Sequence, residues 1–266
     1  MTAGNCPLFS PNNMLVFRYD KTFEGLLTSL FDAYHRKSFP DRLIVEGEPL
    51  PLFTEEEHTV VTDTEKANRV WKGLQTKLPN EACSMLMHVW LSEEPGSDEL
   101  LFRYMRKTFD APHPIASNFA DDDVLQVKKI AQVVARERLY LIQFVRFQKA
   151  ADDIFFAPVA PKCNALPLAI RHFTDRFADQ KWVIYDLKRG YGYYYDLKTA
   201  VEITLTDGEH LLTGKLDESL MAEDEKLFQQ LWKGYFNALT IKERINPKLQ
   251  RQHMPRRFWK HLTEKQ

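Results

Sequence analysis

The chain has 266 residues, 44% of them hydrophobic, with 18 Phe, 10 Tyr, 5 Trp and a formal net charge of −1. That content supports a sizeable packed core, and it excludes a long disordered chain or a protein basic throughout. Its three cysteines, Cys6, Cys83 and Cys163, are far apart and form no C-x-x-C pair, which argues against a disulfide framework or an all-cysteine metal or iron–sulfur site. Free thiols of this kind suit a reducing cytoplasm.

No apolar run reaches the length of a membrane span, and no basic region followed by an apolar core marks a signal peptide. Residues 1–13 read as an irregular leader. Patterned sequence begins at Met14, where "MLVFRYD" alternates as a short strand. Phe23, Leu26, Leu27, Leu30, Phe31 and Tyr34 then fall at helical spacing, with Asp20 or Thr22 as N-cap. "FPDRLIVEGEPLPLF" is a proline-rich loop with room for a brief strand at Leu43–Val45. Helices are expected at about 63–78, 80–92 and 97–108, separated by Pro79 and "EEPGSD". After the turn region "DAPHPIASNFADDD" comes the longest helix, about 122–142.

Beyond it the period changes to two. "FVRFQ" and "DIFFAPVA" read as one hairpin, "KWVIYD" and "YGYYYD" as another across "LKRG", with a helix at 164–178 between them. The expected fold class is α+β: a mostly helical N-terminal region (14–121), then an α+β domain (122–266) with a small antiparallel sheet of order strand, strand, helix, strand, strand, plus C-terminal helices. One of these, 223–239, carries a broad apolar stripe of Leu227, Phe228, Leu231, Trp232, Tyr235, Phe236 and Leu239.

Motif chemistry is sparse. There is no G-x-x-x-x-G-K-[ST], G-x-G-x-x-G, G-x-S-x-G or radical-forming C-x-x-x-C-x-x-C, and the eight histidines show no ligand spacing. No cofactor or metal is expected. Two anomalies stand out. In the long helix Val127, Ile130, Ala131 and Val134 define an apolar stripe that Leu141 and Val145 continue, yet Glu137 and Arg138 occupy its middle. A charge there needs a partner, so either an ion pair or a polar cleft is implied. In "FVRFQ", strand alternation would put Phe144 and Arg146 on one face; Tyr191, Tyr193 and Tyr195 alternate similarly. An aromatic and basic open sheet face suits single-stranded nucleic acid, although a helix covering that face is the simpler expectation.

The end of the chain is the most polarised part. Residues 241–266 hold eight Lys/Arg and two Glu, net +6, whereas the remainder holds 28 against 35, net −7. In "NPKLQRQHMPRRFWKHLTEKQ", Pro247 and Pro255 can open two short helical turns, with Leu249, Met254, Phe258, Trp259 and Leu262 clamped on the core. Arg244, Lys248, Arg251, Arg256, Arg257 and Lys260 would then form an anion-binding rim, with Lys188 and Arg189 at the "LKRG" tip as secondary contacts.

The strings "MLVFRYDKTFEGLL", "FVRF", "HFTDRFADQKWVIYDLKRGYGYYYD" and "LWKGYFNALTIKERINPKLQRQHMPRRFWKHLTE" together resemble a bacterial family of DNA metabolism or DNA repair proteins. The C-terminal portion of that family is a domain of unknown function of the 4130 type. The resemblance runs from about Met14 to the end, and R-x-N-P-x-L-Q-x-x-x-M-P-x-R-[FYW]-W is its most specific string. It implies a DNA-associated accessory protein paired with a DNA-repair-type radical-SAM protein; in some relatives the C-terminal domain is fused to a uracil-DNA glycosylase. Where the family pattern often has a His and a basic residue before "FVRF", this chain has Leu139 and Tyr140. The resemblance carries over no catalytic residues. The expected function is therefore a cytoplasmic DNA-metabolism accessory protein, with DNA and a radical-SAM protein as partners and no membrane association. The alternatives are an enzyme acting on a damaged or modified nucleobase, with Glu137, Arg138, Arg146 and Asp186 lining its cleft, or a pure protein-interaction module.

Overall fold

The structure is a computed structural model that describes residues 14–150, 153–204, 222, 225–240 and 246–265. The expected leader, 1–13, lies outside the described residues. The fold is α+β and divides into two compact units, Met1–Gln132 and Val133–Gln266. The division falls within the longest helix.

In the first unit, strand β1 (Met14–Tyr19) leads into helix α1 (Phe23–Arg36), which returns the chain to β2 (Arg42–Val45). Thr22 caps α1 by accepting from Gly25 N. β1 pairs in parallel with β2 and also with β3 (Thr54–Thr59), giving the order β2-β1-β3. The region is thus less purely helical than the sequence suggests. β3 reads TEEEHT and has no apolar periodicity to reveal it; it is an edge strand held by the ladder and by ion pairs such as Arg36–Glu56. Helices α2 (Thr64–Lys77), α3 (Asn80–Trp90) and α4 (Ser97–Asp110) follow, at the expected places. Phe17, Tyr19, Leu26, Leu30, Leu74, Leu86, Leu101 and Met105 are fully buried together. Each removes most of a large apolar side chain from water, a gain of about 1.5–3 kcal/mol apiece. The Tyr19 hydroxyl and Lys21 ammonium both donate to buried Asp98, each at 2.7 Å.

Helix α5 spans Asp122–Phe144, with Asp121 accepting from Asp123 N and Val124 N at its start. In the second unit the sheet order is β4-β5-β6-β7-β8, formed by Gln148–Lys149, Phe155–Val159, Trp182–Asp186, Tyr191–Tyr195 and Ala200–Ile203. Helix α6 (Leu166–Arg176) crosses from β5 to β6, so that pair is parallel, while the other three are antiparallel. The sheet is mixed rather than antiparallel because a helical crossover returns the chain to the end of the sheet from which β5 started. Leu166, Ala169 and Phe173 of α6 pack with Trp182, Ile184 and Tyr195 in the core, so the face carrying Tyr195 is covered. Trp182 and Tyr195 stack at 5.3 Å.

"FVRFQ" is not a strand. α5 continues to Phe144, Arg146 lies in the connection, and β4 holds two residues. The helix persists because Phe144 stacks one turn back on Tyr140, at 5.8 Å, and meets Phe258 at 5.3 Å. Helix α7 (Glu225–Leu239) follows. Its apolar stripe faces outward: Leu227, Phe228, Leu231, Trp232, Tyr235 and Leu239 are all exposed. The Phe236 side chain lies outside the described residues. Helix α8 (Pro247–His253) and two 3-10 turns, Arg256–His261 and Thr263–Lys265, end the chain. Met254, Phe258, Trp259 and Leu262 do pack, against Tyr140 and Phe144, whereas Leu249 is half exposed.

Two glycines separate local strain from local freedom. A Cβ on Gly192 would strike the Ile184 carbonyl oxygen and lie 2.9 Å from Tyr185 Cα, both backbone of the paired strand. A Cβ on Gly234, in mid-α7, would meet nothing within 4 Å. Gly192→Ala is expected to destabilise the chain by about 1–3 kcal/mol. Gly234→Ala is expected to stabilise it by up to about 1 kcal/mol through helix propensity. Denaturant midpoints of the two variants check both signs.

Candidate functional site

The parallel pair fixes the place where polar chemistry collects. Val159 and Asp186 are register partners at the carboxyl ends of β5 and β6, and loops leaving such ends are where α/β sheets gather functional groups. Asp186 is fully buried. One carboxylate oxygen accepts from Lys188 N at 2.9 Å and the other from the Arg189 guanidinium at 2.7 Å. The turn Leu187–Gly190 closes with Gly190 at φ +70, a left-handed conformation that glycine adopts without strain. From this turn Lys188 Nζ donates to the Lys162 carbonyl at 2.8 Å, and Arg189 donates to the Pro161 and Lys162 carbonyls. The Tyr191 hydroxyl donates to the Asn164 side-chain oxygen. Burial, and then the neighbouring Tyr193 hydroxyl and Asp186 carboxylate, push the Tyr191 phenol well above its usual range. Burial and Glu202 push Tyr193 up to about 12.

Glu137 enters the same cluster from α5. It sits on the core stripe and is almost wholly buried. One oxygen accepts from Lys162 N at 2.8 Å, and the other takes the Arg257 guanidinium. Arg257 lies over the Phe258 ring, 4.5 Å from its centre, and over Tyr140 at 5.5 Å. Arg138 instead donates to the Leu168 carbonyl of α6 at 2.7 Å.

Arg146 belongs to a different cluster. Its guanidinium pairs with Glu264 at 2.9 Å and also donates to the Gln143 and Val145 carbonyls. Glu264 also accepts from the Trp232 indole N–H at 3.1 Å. Burial alone would raise the Glu264 carboxyl, but hydrogen bonds from its own amide, Arg146 and Trp232, together with the Arg146 charge, hold it below the ordinary 4.5. Glu137, Arg138, Arg146 and Asp186 therefore do not converge on one cleft. Each has its own internal partner, and among the described residues Glu137 and Asp186 are linked through the loop that contains Lys162.

The basic positions likewise divide. Lys248, Arg251, Arg256 and Lys260 are exposed on α8 and the first 3-10 turn. Asn246 caps α8 through Leu249 N, and Arg251 Nε donates to the Pro247 carbonyl at 2.9 Å. Arg256 stands over the Trp259 ring at 5.6 Å. Arg257 and Arg189 turn their charge inward, and Lys188 spends a proton on a carbonyl. Arg244 lies outside the described residues. No group of three or more His, Cys, Asp or Glu suited to a metal occurs among the described residues. Among them, too, no helix is long and apolar enough to cross a membrane. Residues that sequence reasoning missed include Glu264, Asn164 and Lys162; only Glu264, an acid in a basic tail stretch, had a signal that could have marked it.

A family model described as DUF4130, a domain of unknown function, matches residues 95–264. The chain belongs to the DUF4130 family. The DUF4130 match runs from just before α4 to the last 3-10 turn, and so takes in the Glu137, Asp186 and Arg146 clusters and the basic C-terminal segment. No curated protein matches the chain. Among solved structures, a pGpG-specific phosphodiesterase, PggH from Vibrio cholerae, is similar at 12% identity and a TM-score of 0.31, covering 86% of this chain and 99% of its own. A likeness that low carries no argument about fold or activity.

Two outcomes test this geometry. Arg257→Ala leaves Glu137 buried without its cation and is expected to cost about 1–3 kcal/mol, the half-exposed arginine moderating the penalty. Arg256→Ala, one residue away, should stay within about 0.5 kcal/mol. Because the Glu264 carboxyl is depressed in the folded chain, its contribution is complete above the ordinary value of 4.5 and is lost as pH falls below it. Thermal melts between neutral pH and pH 3 should show a fall below about 4.5 that is smaller in Glu264→Gln.

Proposed function

We propose that this DUF4130 protein is a DNA-associated accessory protein in DNA metabolism or repair, working beside a radical-SAM enzyme and holding DNA phosphates on its C-terminal segment. The observation that carries the phosphate-binding part is the division of cations in that segment. Arg257 is committed to Glu137, while Lys248, Arg251 and Arg256 present exposed cationic groups from a segment whose apolar side is anchored. A basic surface on an otherwise acidic chain attracts a polyanion, and rigid anchoring lowers the entropy lost on contact. The radical-SAM partner is supported by the sequence resemblance, and the cytoplasmic setting by the widely spaced cysteines.

The enzyme reading draws no support from Glu137, Arg138, Arg146 and Asp186, because each is engaged by the protein itself. The chemistry of a radical-SAM partner would leave this chain to bind and position. Arg251→Glu combined with Arg256→Glu leaves the Glu137 pair intact. With labelled single- and double-stranded DNA across a salt series, the wild type should show a log–log slope of about −3 to −4, as expected for about four phosphate contacts. The double variant should bind at least about tenfold more weakly, with a shallower slope. Absence of binding at low salt, or equal affinity in the variant, would sink the reading.

A further inference from the structure

In the first unit, a pocket of about 260 Å³ opens between α1, α2 and α4, lined by Leu30, Phe31, Tyr34, Arg69, Val70 and Phe109. The Glu137, Asp186 and Arg146 clusters and the basic C-terminal segment belong to the second unit and leave it unexplained. At the packing density of protein interiors, about 0.75, that volume takes a body of roughly 190 Å³, a ring with a short side chain. The walls are held by their own packing. Leu30 and Val70 are buried. The Tyr34 hydroxyl donates to Asp110 at 2.6 Å, and its ring meets Phe39 and Phe109 edge-on, at 5.1 and 6.0 Å. Phe109 lies so close to α2 that a Cβ on Gly73 would stand 2.9 Å from its Cε1. A ligand therefore meets a surface already formed and pays little to reorganise it.

The lining sets the ligand's chemistry. Phe31, Tyr34 and Phe109 offer aromatic walls, against which another ring packs edge-to-face or offset. Among the described residues, Arg69 is the one charged group of that lining. It is exposed, and its guanidinium stands 5.2 Å from the centre of the Phe31 ring. The cations beside it are committed. Lys66, also over Phe31, pairs with Asp32 at 2.9 Å, and Arg106 pairs with Asp110 and stacks on Phe39 at 3.7 Å. Arg69 has no carboxylate partner among the described residues, so its fork of N–H donors is open to a ligand. An amine would be repelled, and a neutral hydrocarbon would leave the fork unused. A carboxylate matches it with two parallel hydrogen bonds.

We propose that this pocket binds a small aromatic monocarboxylate, its ring against Phe31, Val70 and Phe109 and its carboxylate on the Arg69 guanidinium. The site goes beyond the phosphate-binding reading and uses none of its residues, so either can fail while the other stands. The test uses the full chain at neutral pH with 3-phenylpropionate as the probe. Saturation-transfer NMR and a shift titration should give a Kd of about 1 mM or below. 3-Phenylpropan-1-ol, with the same ring and chain but no charge, should bind at least about fivefold more weakly, and 3-phenylpropylamine more weakly still. Arg69→Met, at an exposed position, should leave the melting temperature unchanged. It should weaken the acid at least about fivefold and leave the alcohol where it was, closing the gap between them. No binding of the acid at about 10 mM, equal binding of acid and alcohol, an advantage of the acid that persists in Arg69→Met, or tighter binding of acetylglycylphenylalanine than of the free acid would each overturn the proposal.

Discussion

A carboxylate on the core stripe of a helix governs the second unit. Glu137 is buried where an aliphatic residue would ordinarily sit, and an unpaired charge there would cost several kcal/mol. Both of its oxygens are engaged. The Lys162 amide brings in the loop after β5, and the Arg257 guanidinium brings in the C-terminal turn. That loop in turn receives Lys188, Arg189 and Tyr191 from the β6–β7 hairpin. Three segments far apart in sequence are tied through one buried acid, and Phe258 and Leu262 complete the attachment by packing on Phe144. With Arg257 fixed inward, its neighbour Arg256 is left outward over Trp259. Of the two adjacent arginines, the core charge thus takes one and leaves the other on the exposed side.

Helix α7 inverts the usual arrangement. Glu225 is buried and Gln229 half-buried, while Leu227, Phe228, Leu231, Trp232, Tyr235 and Leu239 face water. The buried polar end is not wasted, because Glu225 takes the Lys149 amide at the start of the sheet and Trp232 donates to Glu264. The polar anchor also leaves the Phe228 and Trp232 rings on the exposed side of the helix.

Much of this architecture is legible in the amino-acid sequence, and the parts that are not have identifiable causes. Helices with a 3.6-residue apolar period are readable because burial of one face imposes that period. The same logic exposes Glu137 as out of place on its stripe. β3 is invisible because TEEEHT has no buried face to imprint a pattern. "FVRFQ" alternates by accident, and the stacking of Tyr140, Phe144 and Phe258 keeps its first residue helical where a local pattern points to a strand. The parallel pairing of β5 and β6 is a property of the crossover, not of either strand. Nothing local distinguishes Arg256 from Arg257; their opposite roles depend on a carboxylate more than a hundred residues earlier in the chain. The outward face of α7 is unreadable for a related reason, since an apolar stripe records that a face is covered or used but not by what.

The measurement that bears most directly on this account is a double-mutant cycle on the buried pair, comparing unfolding free energies of the wild type, Glu137→Gln, Arg257→Met and the double variant. If Glu137 and Arg257 hold the C-terminal segment to the sheet, each single change should cost nearly as much as both together, with a coupling energy of at least about 1 kcal/mol. Strictly additive losses, with coupling near zero, would show that the two side chains act independently and would contradict the account.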